Sequence, residues 1–292
     1  MSTKQHNAPL PIRPAPDPVD REFEALLSEP FARVWSPPEG QPLATTRLRD
    51  RLLGRVAASR ASEAVMYTAY RRRIQCEDLG GGHATAQTLY RAQEGSALRA
   101  GEPLRARLIE LAAGARLTPD SLGEEAQLQT RHREWLVMSG QVALDGELLG
   151  QRDYHVRPTG HPTPTLFSEA GALIFLRESE QPVAEGDSPM TVRDADAGWP
   201  DFAPGIQRRV LWQRDGQAAM LYYAQAGAQV PQHSHGHDEE CLMLQGELFL
   251  DDMLLQTGDY QVAPAGTGHR ITETDTGVVI YAHGDLDLQF TG

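Results

Sequence analysis

The hydrophobic pattern of the 292-residue chain changes period near Val65. Upstream, Leu48, Leu52, Leu53, Val56 and Ala57 recur at helical spacing among arginines. That spacing predicts an amphipathic helix from Thr45 to about Ala64, with its apolar stripe laid on a neighbouring surface. Earlier still, prolines at 9, 11, 14, 16 and 18 are incompatible with helix or sheet over residues 1–19. A short acidic helix is expected from Asp20 to Ser28, capped by Asp20, and the stretch Ser36 to Pro42 reads as a linker. Downstream of Val65 short apolar runs alternate with Gly, Pro and Asp turns: 107–111, 134–138, 171–176, 207–212, 219–224, 241–244 and 277–282. Many short strands with closely spaced turns predict β-barrels or a sandwich.

The turns also repeat. A shift of 106 residues carries Gly140 onto Gly246, Leu144-Asp145 onto Leu250-Asp251, and Asp153-Tyr154 onto Asp259-Tyr260. The same shift carries Pro158 onto Pro264, Gly160 onto Gly266 and Gly171 onto Gly277. Upstream, Ala113-Gly114-Ala115 pairs with Ala226-Gly227-Ala228, so the first copy holds seven extra residues before Gly140. Turn glycines and aspartates in one register mean two copies of one β-domain. The chain therefore divides into a Pro-rich tail and linker (1–42), an amphipathic helix (43–64), a first β-domain (65–180) and a second (181–292).

Composition narrows the function classes. Net charge is −13, and an acidic surface repels phosphate backbones, so no nucleic-acid partner is expected. Two cysteines without a CxxC exclude a disulfide framework and a cysteine-rich zinc module. The N-terminus has no apolar segment of signal-peptide type, and no apolar run approaches membrane-spanning length. The expectation is a cytoplasmic protein without a membrane partner.

Candidate chemistry lies in the second copy. Gly227 is followed by His233, His235, Glu239 and Gly246, and then Gly258, Pro264, Gly266 and His269. Residues two apart on a strand face one side, so His233 and His235 point together, with Glu239 and His269 arriving from later strands. Three imidazoles and one carboxylate in an apolar interior are costly without a cation, and they suit zinc, iron, manganese, nickel or copper. His237 shares their parity and could replace one of them. Glu240 could replace Glu239, although the gap to Gly246 favours Glu239. Cys241 should point inward near the ion, as a small core residue. In the first copy Arg133 falls at the Glu239 position and Thr163 at the His269 position, so its metal site is lost; His132, Glu134, His155 and His161 lie nearby but off the ligand positions.

These two segments resemble the two cupin motifs, with Glu273 replacing a terminal asparagine that is not a ligand. The resemblance implies a mainly β fold, two cupin jelly-roll barrels in tandem, preceded by a Pro-rich tail and one or two short helices. The layout further resembles the ChrR-like group of cupin-bearing anti-sigma factors. It does so in Pro37-Pro38 leading into the Arg47–Ala57 helix, in the phrase from Glu239 to Asp251, and in the Gly258-Asp-Tyr that follows. That likeness implies one divalent ion, zinc favoured, on His233, His235, Glu239 and His269, a small ligand or oxidant as signal, and an extracytoplasmic-function (ECF) sigma factor as partner. On the same reading residues 1–42 are a degenerate anti-sigma region: the chain has one histidine there, His6, and no cysteine. A bicupin sensor is the first functional expectation. A cupin dioxygenase acting on a small diketone or phenolic ketone is the second, with Glu273 or Tyr260 as acid–base group, and a metal-stabilised scaffold or sugar-binding cupin the third. Strand-edge pairing also allows homo-oligomers.

Overall fold

The computed structural model describes residues 43–94, 98–123 and 129–290. The proline-rich tail, the Asp20–Ser28 helix and the Ser36–Pro42 linker lie outside these residues. The chain divides into two compact units, residues 1–57 and 58–292. The expected helix runs from Leu43 to Val65. Its alanines, leucines and arginines are strong helix formers. Among the described residues Leu52, Leu53 and Val56 are each about half exposed (55%, 55% and 48%), so the expectation of a stripe packed away from water is not met there. Local propensity supports this helix without that packing. Among the described residues no helix is long and apolar enough to cross a membrane.

Apart from a one-turn helix at Asp194–Ala197 and short 3-10 turns at Arg71–Arg73 and Pro119–Leu122, the regular structure described beyond the Leu43–Val65 helix is β-structure in two barrels. In the first, a seven-stranded sheet runs in the order Met190–Val192, Tyr154–Arg157, His132–Gly140, Ala172–Ser179, Pro103–Leu111, Ala84–Arg91, Glu77–Asp78. In the second, the main sheet runs Tyr67–Ala69, Tyr260–Ala263, Glu239–Leu250, Val278–Asp285, Gln217–Ala224, Ile206–Arg214, Asp201–Ala203. The barrels exchange strands. Tyr67–Ala69 pairs with Tyr260–Ala263 of the second barrel, and Met190–Val192 pairs with Tyr154–Arg157 of the first. Boundaries drawn at 65 and 180 thus cut across both sheets, because each barrel is edged by a strand from the other stretch of sequence.

The internal repeat holds at the level of single hydrogen bonds. Asp153 Oδ2 accepts from Gly150 N, and Asp259 Oδ2 accepts from Gln256 N. Ser168 Oγ and Thr274 Oγ1 each accept from a glycine amide three residues on, Gly171 and Gly277. Gly140 and Gly246 share a positive φ, and a β-carbon on either would sit 2.2 or 2.1 Å from the carbonyl oxygen of Gly171 or Gly277. Only glycine fits such a contact.

Strand alternation sorts the side chains into three large cores, with a small fourth cluster of Met66, Met253 and Ala263 among the described residues. Trp135 and Val137 turn into the first barrel and Cys241 and Met243 into the second. Leu136, Met138 and Leu242 turn to a shared core between the barrels, with Phe175, Tyr260 and Tyr281. At the centre of that interface Arg177, buried completely, bridges two carboxylates. Its Nη1 is 2.8 Å from Glu134 Oε1 and its Nη2 is 2.6 Å from Glu240 Oε1. Tyr154 and Tyr281 hydroxyls donate to Glu134 Oε2 (2.7 and 2.8 Å), and Tyr260 donates to Glu240 Oε2 (2.5 Å). Glu134 and Tyr154 are the repeat partners of Glu240 and Tyr260, so the interface is pseudo-symmetric with one guanidinium at its middle. Burial alone would raise the Glu134 carboxyl, but Arg177, His283 and His132 hold it well below the usual carboxylate range.

Two predictions follow from this packing. Gly246→Ala should lower stability by about 2 kcal/mol or more through the carbonyl clash and the left-handed backbone, read as a lower urea midpoint. Glu134 stays ionised in the folded state below the unfolded glutamate value of about 4.3, so its stabilisation is complete above that pH and drains away as pH falls toward its depressed folded value. Glu134→Gln should cost about 3–5 kcal/mol near neutrality and flatten the acid limb of a stability–pH curve.

Candidate metal centre

Two short strands face each other at one end of the second barrel, His233–Ser234 against Gly268–His269, with His233 directly opposite His269. The pairing is close because residue 268 lacks a side chain: a β-carbon there would lie 2.2 Å from the His233 carbonyl oxygen. The intervening loops are tied down. His235 N donates to Thr267 O (2.9 Å), Gly266 N to His235 O (2.8 Å), and Ala265 N to Asp238 Oδ1 (2.8 Å). Asp285 accepts from Gly236 N and from His237 Nδ1, both at 2.5 Å.

On this frame three of the four expected side chains meet, His233, His235 and Glu239, and His269 stands beside them. Ligand-capable atoms of His233, His235 and Glu239 all lie within 4.8 Å of one another, and among the described residues no other histidine, cysteine or acidic set does so. His235 Nε2 is 3.2 Å and His269 Nε2 3.6 Å from Glu239 Oε2. The His269 ring centroid stands 5.7 Å from that of His233 and 5.2 Å from that of His235. His233 Nδ1 must donate to the Pro231 carbonyl 3.0 Å away, which leaves Nε2 as its lone-pair nitrogen. His235 and His269 are buried, and neither ring nitrogen of either makes a hydrogen bond. Such orphaned donors are costly. A divalent ion with bonds of about 2.1 Å brings its ligands within roughly 4 Å of each other, so this donor set fits one.

Within the cluster the carboxylates and imidazoles shift one another. Burial would raise Glu239, but His235, His269 and His233 bring it down to about 2. Burial lowers His235. Burial would lower His269 too, yet the carboxylates of Asp251 and Glu239 carry it up to about 9. Asp251 Oδ2 stands 3.9 Å from His269 Nδ1, while its Oδ1 accepts the Arg270 amide (2.8 Å).

The neighbouring candidates fall elsewhere. Glu240 turns away from the cluster to Arg177 and Tyr260, as alternation along its strand requires. His237 is partly exposed and held by Asp285. Glu273 accepts from Gln229 Nε2 (3.0 Å), and neither it nor Tyr260 lines the cavity beside the cluster, which corrects their expected place as acid–base groups. In the first barrel His155 bonds Thr191 Oγ1 (2.8 Å) and His161 the Pro158 carbonyl (3.2 Å). Asp251, Asp285 and Arg177 were missed in the sequence. The repeat carried a signal for the interface, since the 106-residue shift places Glu134 on Glu240, but nothing local marks the two aspartates.

The cluster opens into a narrow apolar cavity of about 60 Å³, reached by His233, Glu239 and His269 and walled by Phe202, Tyr222, Leu248, Leu250 and Ile280. Cys241 lines it as well, with its thiol pushed well above the ordinary range by burial and then by Glu239.

Solved structures of similar shape decide the architecture. A mutant oxalate decarboxylase of Bacillus subtilis matches at 15% identity with a TM-score of 0.53, over 77% of this chain and 78% of that one. A glyoxylate-induced protein, so named provisionally, from Pseudomonas aeruginosa matches at 12% and 0.60, over 78% and 91%. A provisionally named dioxygenase of Nostoc punctiforme matches at 14% and 0.55, over 79% and 85%. The chain has the fold of two cupin barrels in tandem. Residues 187–287 match the ChrR cupin-like domain family. A comparison with curated proteins found no match. At these identities the structural neighbours establish the fold of the bicupin alone.

Exposure separates the two thiols of this bicupin: Cys76 is exposed and Cys241 buried. Iodoacetamide should label Cys76 in the native protein within minutes and Cys241 only after denaturation, which peptide mass spectrometry reads directly. Native labelling at Cys241 would contradict the closed barrel interior.

Proposed function

We propose that the second barrel binds one divalent metal ion through His233, His235, Glu239 and His269, and that this ion receives a small ligand or oxidant entering the apolar cavity. On this reading the bicupin is a regulatory sensor of the ChrR kind. The observation that carries it is the wall of the cavity. Outside the four ligands, its titratable groups are Cys241 and Tyr222, and burial pushes both up, the tyrosine to about 12. A bound ion would supply Lewis acidity and, if iron or manganese, redox chemistry. The chain itself would contribute an apolar slot that excludes water and admits a slender ligand. Among the described lining residues outside the four ligands no side chain is placed to move a proton near neutral pH, which favours binding over turnover. The match of residues 187–287 to the ChrR cupin-like family supports the regulatory reading and makes an ECF-type sigma factor the partner to test by pull-down. The ligand set accepts several metals, with zinc first by family likeness.

A second reading rests on the same cavity. Four protein ligands leave an octahedral ion two open positions facing apolar walls, an arrangement suited to oxygen and a chelating ketone.

Protein purified without added metal should contain about one equivalent of ion per chain, and His235→Ala or Glu239→Gln should retain less than about a fifth of it. Chelation should lower the thermal midpoint of the wild type and leave that of His235→Ala unmoved. Equal metal in wild type and variants would sink the site. Oxygen uptake by iron-loaded protein on a panel of diketones and phenolic ketones would replace the sensor reading with the oxygenase one.

A further inference from the structure

The corresponding end of the first barrel carries the opposite charge. The 106-residue shift places Arg133 where the second barrel has Glu239, and Glu178 where it has Gly284. Arg105 and Arg107 reach the same point from the adjacent strand Pro103–Leu111. Three buried guanidiniums therefore meet one buried carboxylate. Arg105 Nε donates to Glu178 Oε2 (2.6 Å), Arg133 Nε to Oε1 (3.0 Å), and Arg107 Nη2 stands back at 3.9 Å.

Beside this cluster opens a polar cavity of about 600 Å³, tenfold larger than the apolar slot of the second barrel. Arg105 and Arg107 line it, with Arg91 and Ser121. Among the described residues the acidic side chains on its lining are Glu77, Asp78 and Asp120. Glu77 and Asp78 are exposed, and Asp78 Oδ1 is occupied by the amides of Gly80 and Gly82. Arg105 and Arg107 are buried, where water screens them least, while Arg91 and the three acids are exposed.

Arg107 is the decisive group. It is 3% exposed, and its Nη1 donates a long bond to Leu122 O (3.4 Å), but Nε and Nη2 make no hydrogen bond. Those two nitrogens form one edge of the guanidinium plane, the edge that binds a carboxylate through two parallel bonds. Burial, and then the charge of Arg105, lower its pKa to about 10, so it remains a cation at neutral pH. Glu178, already bonded to Arg105 and Arg133, stands 3.9 Å from this fork without a hydrogen bond to it; a buried guanidinium edge that makes no hydrogen bond is expensive, and an anion seated on it repays the cost.

We propose that the first barrel is a receptor site for a small carboxylate anion, held by the Nε–Nη2 edge of Arg107. Isothermal titration of the full chain at low salt with acetate and succinate should show one site per chain. Arg107→Met is the mildest removal, because the pairing of Leu176 with Arg107 repeats as Ala282 with Met220. It should weaken binding at least tenfold, and Arg107→Lys, which keeps the charge without the fork, should do the same. No binding by wild type, or equal binding by the lysine variant, overturns the proposal. So does binding of inorganic phosphate while both carboxylates stay silent. Should the variants fail to fold, succinate must slow phenylglyoxal modification of Arg107 in wild-type protein while the exposed Arg49 and Arg51 react unchanged; equal modification at Arg107 overturns the proposal as well.

Discussion

Arg177 lies between Glu134 and Glu240 with all three side chains withdrawn from water, and this arrangement dictates how the adjoining strands face. A carboxylate left unpaired at that depth would cost several kcal/mol, so the strand Glu239–Leu250 cannot rotate by one residue without exposing the protein to that cost. Because Glu240 must meet Arg177, Glu239 must point the other way, into the second barrel. The interface and the histidine–glutamate cluster are two faces of one strand. The same holds in the first barrel, where Glu134 faces the interface and Arg133 the interior.

The two barrels then diverge in what their ends can hold. One gathers imidazoles and a carboxylate around an apolar slot. The other gathers guanidiniums around a broad polar bowl. Duplication preserved the turns, the buried aspartates and the interface tyrosines while the sign of the interior charge reversed at one position of the repeat, Glu239 against Arg133. A framework supported by backbone geometry and the buried ion triad tolerates that reversal, because neither depends on the residue that points inward.

Much of this was legible in the sequence for a physical reason. Period-two alternation and glycines at positive φ leave strong marks, so the strand runs, the repeat and the approach of His233, His235 and Glu239 to one another could be read directly, with His269 beside them. The fate of the Leu52–Val56 stripe could not, since an apolar face at helical spacing looks the same whether or not anything covers it. Nor could Asp251 and Asp285, whose roles arise from loops distant in sequence that meet only after folding. Strand exchange was hidden too: Tyr67–Ala69 and Met190–Val192 are three residues each, too short for their pattern to name a partner. Glu273 and Tyr260 looked available for proton transfer because sequence parity gives a face but not the neighbour already bonded to it.

That exchange has a consequence for how the molecule comes into being. A ribosome delivers Tyr67 long before Val262, and the early strand must wait, unpaired, until nearly all of the chain has emerged. The first barrel is likewise unfinished until Met190 arrives to close its edge on Val156. Neither half can be completed by its own stretch of polypeptide, so splitting the gene between them would yield two open-edged fragments prone to stick to their own kind.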